Sequence, residues 1–433
     1  MNFALLKAQF CGLLVLLVFF WSQLPSRAES EKFASDLRGK VIVGYQGWFG
    51  CPGDDQSNQS WSHWSIKTPD INNLVVDMLP ATDEYKPSDL CACSNLRHPD
   101  GSPVYLFSSL NPNVVKVHFQ WMQNYGIDGV AAQRFIVDVA TPDGRQRRDK
   151  VLENIRAAAE ASGRVFFVTY DISQANASTV TRDIENDWQH LVDDLKITSS
   201  PNYMRYRNKP VLQLWGFGFN DHPGEPPEVK ALITKLKAGT PQLSAVTLIG
   251  GVPACWRLLI GDAKTDLRWA EIYRMYDVIS PWLVNRFGDE LHAFVFMKTM
   301  VQPDLDETKR LGIDYMPVIF PGFSWYNLMH EINQPNKGVL NRVPRNGGKF
   351  YLKQISELVA LHVNMMYVAM FDEVNEGTAV FKVETDKKKL PQGAHLVYPG
   401  LDGADLAPDR FLKITGLAGK YLRNSLQPAA PAK

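Results

Sequence analysis

The 433-residue chain is short of cysteine, with five, and has no excess of either charge, with 46 basic and 46 acidic residues. That balance excludes the broad electrostatic footprint of a nucleic-acid binder or an anionic-membrane binder. Familiar catalytic signatures are missing as well: there is no G-x-S-x-G elbow, no H-E-x-x-H and no calcium-loop pattern. The nine histidines are scattered without metal-ligand spacing. The stretch "GFGFND" from Gly216 lacks the third glycine of a dinucleotide loop. No internal repeat and no low-complexity domain is visible. The expectation is carboxylate chemistry with no metal and no cofactor.

What is present begins with an export-like leader. Lys7 precedes the apolar run "CGLLVLLVFFW" (11–21), and "PSRA" ends in small residues at Ser26 and Ala28. The run is short for a membrane span, so a signal peptide over 1–28 is expected, followed by an exported protein, extracellular or periplasmic. No later segment is long and apolar enough to span. Cys51, Cys91, Cys93 and Cys255 would remain. An even count in an oxidising compartment favours disulfides, with three pairings open. Cys51 is expected to bond Cys91 or Cys93, because all three lie in one long insertion. Asn58 and Asn176 stand in glycan-acceptor triplets.

Eight strand-like runs alternate with helix-like ones: 41–48, 129–135, 165–171, 210–216, 245–251, 278–284, 314–320 and 365–371. Near-continuous apolar runs of this length suit parallel strands buried on both faces. Between them, Asn111-Pro112 reads as a helix start carrying Val115, Phe119 and Met122 on one face. A second helix over about 146–162 stops at Gly163. The alternation predicts a (β/α)8 barrel over 29–425, with residues 49–111 as an insertion after the first strand and a disordered tail at 426–433.

In that fold, ligands bind where strands end. The strand ends place Tyr45, Gln46, Trp48, Gln133, Arg134, Asp171, Trp215, Trp282 and Trp325 there as substrate-binding candidates, with His63 of "WSHWS" beside them. Glu373 and Glu376 follow the last strand. In a strand this spacing separates side chains, whereas in a turn it brings them together. Two close carboxyls cannot both ionise easily, so one holds a proton near neutral pH. With aromatic walls, such a pair suits retaining glycoside cleavage. A polysaccharide or oligosaccharide is the expected partner of a monomer. The alternative is a carbohydrate-binding barrel without turnover.

"GYQGWFGCPGDDQSNQSWSHW" (44–64), "YGIDGVAAQRF" (125–135) and "FDEVNEGTAVF" (371–381) resemble glycoside hydrolase families 71 and 99. The similarity is closest to the secreted branch loosely labelled xylosidase/arabinosidase and runs over roughly 38–425. The resemblance implies that Glu373 deprotonates the sugar 2-hydroxyl, that Glu376 is the acid and later the base, and that Tyr45 lines the site. Asp372, Val374 and Asn375 stand where the endomannosidase pattern has other residues, so the acid pair is kept and its neighbours are not.

Overall fold

The computed structural model describes residues 25–55, 59–241, 243–402 and 406–426. Most of the expected leader, the Asn58 triplet and residues 427–433 of the tail lie outside them. Arg27 and Ala28, at the end of the leader, open a helix Arg27–Phe33 capped by Ser26.

The main sheet uses β1 (Val41–Tyr45), β4 (Gly129–Phe135), β5 (Val165–Asp171), β7 (Lys209–Trp215), β8 (Thr247–Pro253), β9 (Val278–Trp282), β10 (Asp314–Tyr315), β11 (Val318–Ile319) and β12 (Met366–Val368). All nine run parallel. A short β6 (Arg205–Tyr206) adds to β7 antiparallel. β2 (Leu90–Arg97) and β3 (Pro103–Phe107) form a separate hairpin. Chain neighbours pair around the sheet until β10 pairs β9 and β11 pairs β12. β10 and β11 are two pieces of one segment, separated by Met316 and Pro317. The ring therefore closes across a two-residue break, at which Pro317 has no N–H to give while its carbonyl still accepts from Tyr367. This is the expected (β/α)8 barrel, with each of the eight strand-like runs in place.

Helices follow the strands as barrel connectivity requires. Asn111 caps Pro112–Tyr125, which buries Val115, Phe119 and Met122. Pro142–Ser162 buries Leu152, Ile155 and Ala159 and stops at Gly163, whose φ of 65° suits glycine. The strands inside this ring are almost wholly buried, as their unbroken apolar runs require.

The insertion between β1 and the next helix wraps the mouth of the barrel. A disulfide joins Cys51 to Cys91 across 40 residues, fastening the hairpin to the end of β1. Cys93 and Cys255 carry free thiols, so the four cysteines make one bridge rather than two. Cys93 is buried in the hairpin strand. Closing a loop of this length restricts the unfolded chain by on the order of 4 kcal/mol. Cys91→Ala is expected to lower unfolding stability by about that amount in a urea titration. An unchanged midpoint would remove the tether from the account.

Candidate active site

Residues along a strand alternate between the two faces of the sheet. In β4, Gln133 points into the barrel, where its amide donates to Tyr367 Oη at 2.9 Å. In β5, Thr169 Oγ1 bonds Gln213 of β7 at 3.1 Å, so Asp171 shares that inward face. At the C-terminal mouth the inward row opens into a cavity of about 160 Å³. Gln46, Trp48, Gln133, Phe135, Asp171, Ser173, Trp215, Trp282, Met370, Glu373 and Glu376 line it. Trp215 meets Trp282 edge to face at 5.3 Å, and Trp48 stacks on Phe135 at 5.3 Å. Gly251 makes room for this wall, since a Cβ there would come within 2.5 Å of Trp215.

The same alternation turns two candidates away. Tyr45 is fully buried outside the barrel, with Oη 2.8 Å from His118 Nδ1 and its ring stacked on Phe371. Arg134 faces the outer helices, where Nη2 donates to Asp187 and Asp149, both at 2.7 Å. Neither lines the cavity. The error lies in counting every residue near a strand end as facing the ligand, when only every second one does. His63 lies just outside, exposed, and stacks face to face on Trp48 at 4.1 Å. Trp325 does not line the cavity either; it packs edge-on against Phe323. Its neighbour Ser324 is nonetheless tied in, donating its N–H to the Glu376 carbonyl at 2.8 Å.

The two glutamates come together because the chain abandons the strand. β12 ends at Val368, and residues 374–377 form a turn. Gly377 takes a φ of 62°, and a Cβ there would press within 2.9 Å of Ser324. Several clamps hold the turn. Asp372 accepts the N–H groups of Gln46 at 2.8 Å and Gly47 at 3.0 Å. Asn375 donates to the carbonyls of His63 at 2.8 Å and Val75 at 2.9 Å. The buried Arg345 guanidinium donates to Gly377 O at 2.7 Å and Ala379 O at 2.6 Å. Asp77, from the insertion, donates its N–H to Val374 O and receives Tyr326 N–H, Asn327 N–H and the Ser324 hydroxyl. Asp372, Asn375, Asp77 and Arg345 were not among the candidates read from sequence. A short polar side chain beside a functional pair was the only signal for the first two, and distant Asp77 and Arg345 left none.

Electrostatically the cavity is a cluster of carboxyls removed from water. Glu373 is 3% exposed and receives the Gln46 amide. Burial first, and then the Glu376 charge, raise it well above the ordinary glutamate value, with the Gln46 bond opposing. Burial and the Asp171 charge push Glu376 up to about 7. Burial pushes Asp171 up to about 6, and Asp372 up to about 6 against the two N–H groups it accepts. Two carboxyls this close interact strongly, so the glutamate pair titrates as one unit rather than as two independent acids. Trp48 Nε1, Trp215 Nε1 and Gln46 Oε1 are buried without a hydrogen-bond partner among the described residues. Among the described residues no group of three His, Cys, Asp or Glu could hold a metal ion, and no helix is long and apolar enough to cross a membrane.

The fold matches solved structures. The GH99 endo-α-mannosidase from Bacteroides thetaiotaomicron superposes with a TM-score of 0.60, covering 90% of this chain and 100% of that one at 15% identity. A second structure of that enzyme, in complex with bis-tris propane, gives the same score and identity over 90% and 98%. The fold is that of the family 99 enzyme. An endo-β-1,4-mannanase from Thermotoga petrophila follows at a TM-score of 0.42 and 8% identity, over 73% of this chain and 75% of that one. No family model matches the sequence, and no curated protein matches it.

Two outcomes follow from this geometry. Arg134→Met leaves Asp187 and Asp149 without their shared cation, and is expected to destabilise the chain by roughly 3–5 kcal/mol. Gln133→Ala should cost far less in the same thermal melts; equal losses would put Arg134 in the cavity after all. The second concerns Glu376, whose folded value lies above its unfolded one. Its contribution to stability is therefore full below the unfolded value and is lost as pH rises through about 7. Glu376→Gln should gain melting temperature relative to wild type at pH 8 but not at pH 4. A difference independent of pH would contradict the burial of that carboxyl.

Proposed function

We propose that this protein is a retaining glycoside hydrolase acting on a polysaccharide or glycan, with Glu373 and Glu376 as its catalytic residues. One observation carries the reading: two carboxyls with raised proton affinity face the same tryptophan-walled cavity at the mouth of a barrel. Retaining hydrolysis needs two carboxyl groups in one small volume, one protonated and one ionised. Trp48, Trp215 and Trp282 offer flat apolar faces to a sugar ring. Kinship with the family 71/99 group, including the branch labelled xylosidase/arabinosidase, is part of this reading and rests on the three sequence segments. The apolar leader and the Cys51–Cys91 bridge support export.

The roles in this reading are those the family resemblance implies. The sugar 2-hydroxyl attacks the anomeric carbon while Glu373 takes its proton and Glu376 protonates the leaving oxygen. The attacking group is built into the substrate, so little further entropy is lost on reaching the carbon. Water then opens the cyclic intermediate with Glu376 as base, and configuration is retained. Burial raises the proton affinity of Glu373 well above the ordinary glutamate value. A 2-hydroxyl donating to Glu373 beside the Gln46 amide stabilises its ionised form and shifts the proton to Glu376.

Wild-type protein should release reducing sugar from at least one member of a polysaccharide panel, and Glu376→Gln should lose 10²-fold or more in kcat. The reaction needs one proton on the pair, so kcat/KM should trace a bell in pH, falling where the pair is fully protonated and where it is fully ionised. Binding without turnover in wild type, unchanged in Glu376→Gln, would instead support a carbohydrate-binding barrel.

A further inference from the structure

The cavity holds one carboxylate more than the reaction uses. Asp171 ends β5, is 8% exposed, and lines the cavity with Glu373 and Glu376. Its Oδ1 accepts the Ser173 N–H at 2.8 Å, and the Ser173 hydroxyl and the more distant His222 charge are its other favourable neighbours. No lysine, arginine or histidine lines the cavity. The nearest cations are engaged elsewhere. Arg134 points outward to Asp187 and Asp149. Arg148 bonds Asp138 and donates to the carbonyls of Gln46 and Gly47. His222 sits behind Ser173, with Nε2 3.1 Å from the hydroxyl and Nδ1 2.7 Å from Asp221. Beneath the floor, Asp372 adds a further acid whose oxygens are taken by backbone N–H groups.

The Ser173–His222–Asp221 chain has the order of an acyl-hydrolase triad, but the surroundings oppose that chemistry. The Ser173 N–H is already committed to Asp171, and three carboxyls face the space where an oxyanion would need donors. The excess of acid has a different use. A buried carboxylate served by so few donors is stabilised when a ligand supplies more.

We propose, building on the glycosidase reading above, that this cavity selects sugars by charge. Asp171 accepts hydrogen bonds from hydroxyl or ammonium groups of the bound ring, so neutral and amino sugars enter, while uronic, sulfated and phosphorylated rings are refused. An anionic substituent would meet three carboxyls at close range, and no cationic side chain lines the cavity to receive it. A ring bearing an ammonium group would instead satisfy Asp171 through a charge-assisted bond.

The test uses three small polyols of similar shape and different charge, which removes sugar stereochemistry from the question. They are tris(hydroxymethyl)aminomethane, an ammonium at pH 7; pentaerythritol, which is neutral; and 2,2-bis(hydroxymethyl)propionate, an anion. Isothermal titration into the full chain at low salt should show the ammonium polyol binding about tenfold or more tighter than the neutral one, and no heat from the anion. Added salt should weaken the cation's binding most. In Asp171→Asn the cation's advantage should fall about tenfold, while neutral binding changes less. Binding of the anion equal to that of the neutral polyol overturns the proposal, as does an ammonium polyol that gives no heat at all. A cation preference that survives in Asp171→Asn overturns the role of Asp171 by assigning it to the glutamate pair. Should that variant not fold, the order of the three probes on wild type still decides the charge selection. No glycan is hydrolysed in this measurement, so the charge selection and the glycosidase reading can each fail alone.

Discussion

The Asp372 carboxylate accepts the backbone N–H groups of Gln46 and Gly47, and the arrangement of the barrel mouth depends on this joint between the first strand and the last. It brings the loop after β1 against the segment after β12, so that Gln46 can reach Glu373 with its side chain while its N–H serves Asp372. The insertion then fastens to the same segment from above, through Asn375 and Val374, and Arg345 holds the carbonyls just past Gly377. Each clamp satisfies a backbone group that would otherwise be buried without a partner. A turn so heavily bonded presents Glu373 and Glu376 on a rigid frame, although no regular strand or helix carries them.

This frame is what makes the acid cluster tolerable. Asp171, Asp372, Glu373 and Glu376 are gathered with no cation among the lining residues, and burial raises the proton affinity of all four. Relaxing the turn would let the carboxyls back into water, so the folded state is working against them at neutral pH. Polar groups placed at a loss to stability are a mark of sites shaped for chemistry. The outward cluster of Arg134, Asp149, Asp187 and Tyr170 shows the contrasting case: its acids share a buried cation, and its role is to hold helices to the strands.

The barrel was legible in the chain because burial on both faces writes a parallel strand as a continuous apolar run, and eight such runs are hard to mistake for another fold. Glu373 and Glu376 were legible for the same reason, as two acids directly after such a run with a glycine to turn the chain. Gln46, Trp48, Gln133, Asp171, Trp215 and Trp282 could be found by reading strand ends. Tyr45 and Arg134 could not be separated from them, since which residue of an alternating pair faces inward depends on how the sheet closes. The Cys51–Cys91 pairing was one of several open from spacing alone, and only the folded chain shows that Cys93 and Cys255 stay free.

Sequence by itself thus determined the element order, the fold class and the presence of a carboxylate pair, because these follow from local periodicity and from short spacings. Only the tertiary structure decided which side chains share the cavity, that Asp77 and Arg345 reach the turn carrying Glu373 and Glu376, and that no cation lines the site. Those facts depend on contacts between residues hundreds of positions apart, such as Ser324 with Asp77 and Gln46 with Glu373. Local pattern carries no record of such contacts, since they arise only when the sheet curls shut and sets its first strand beside its last.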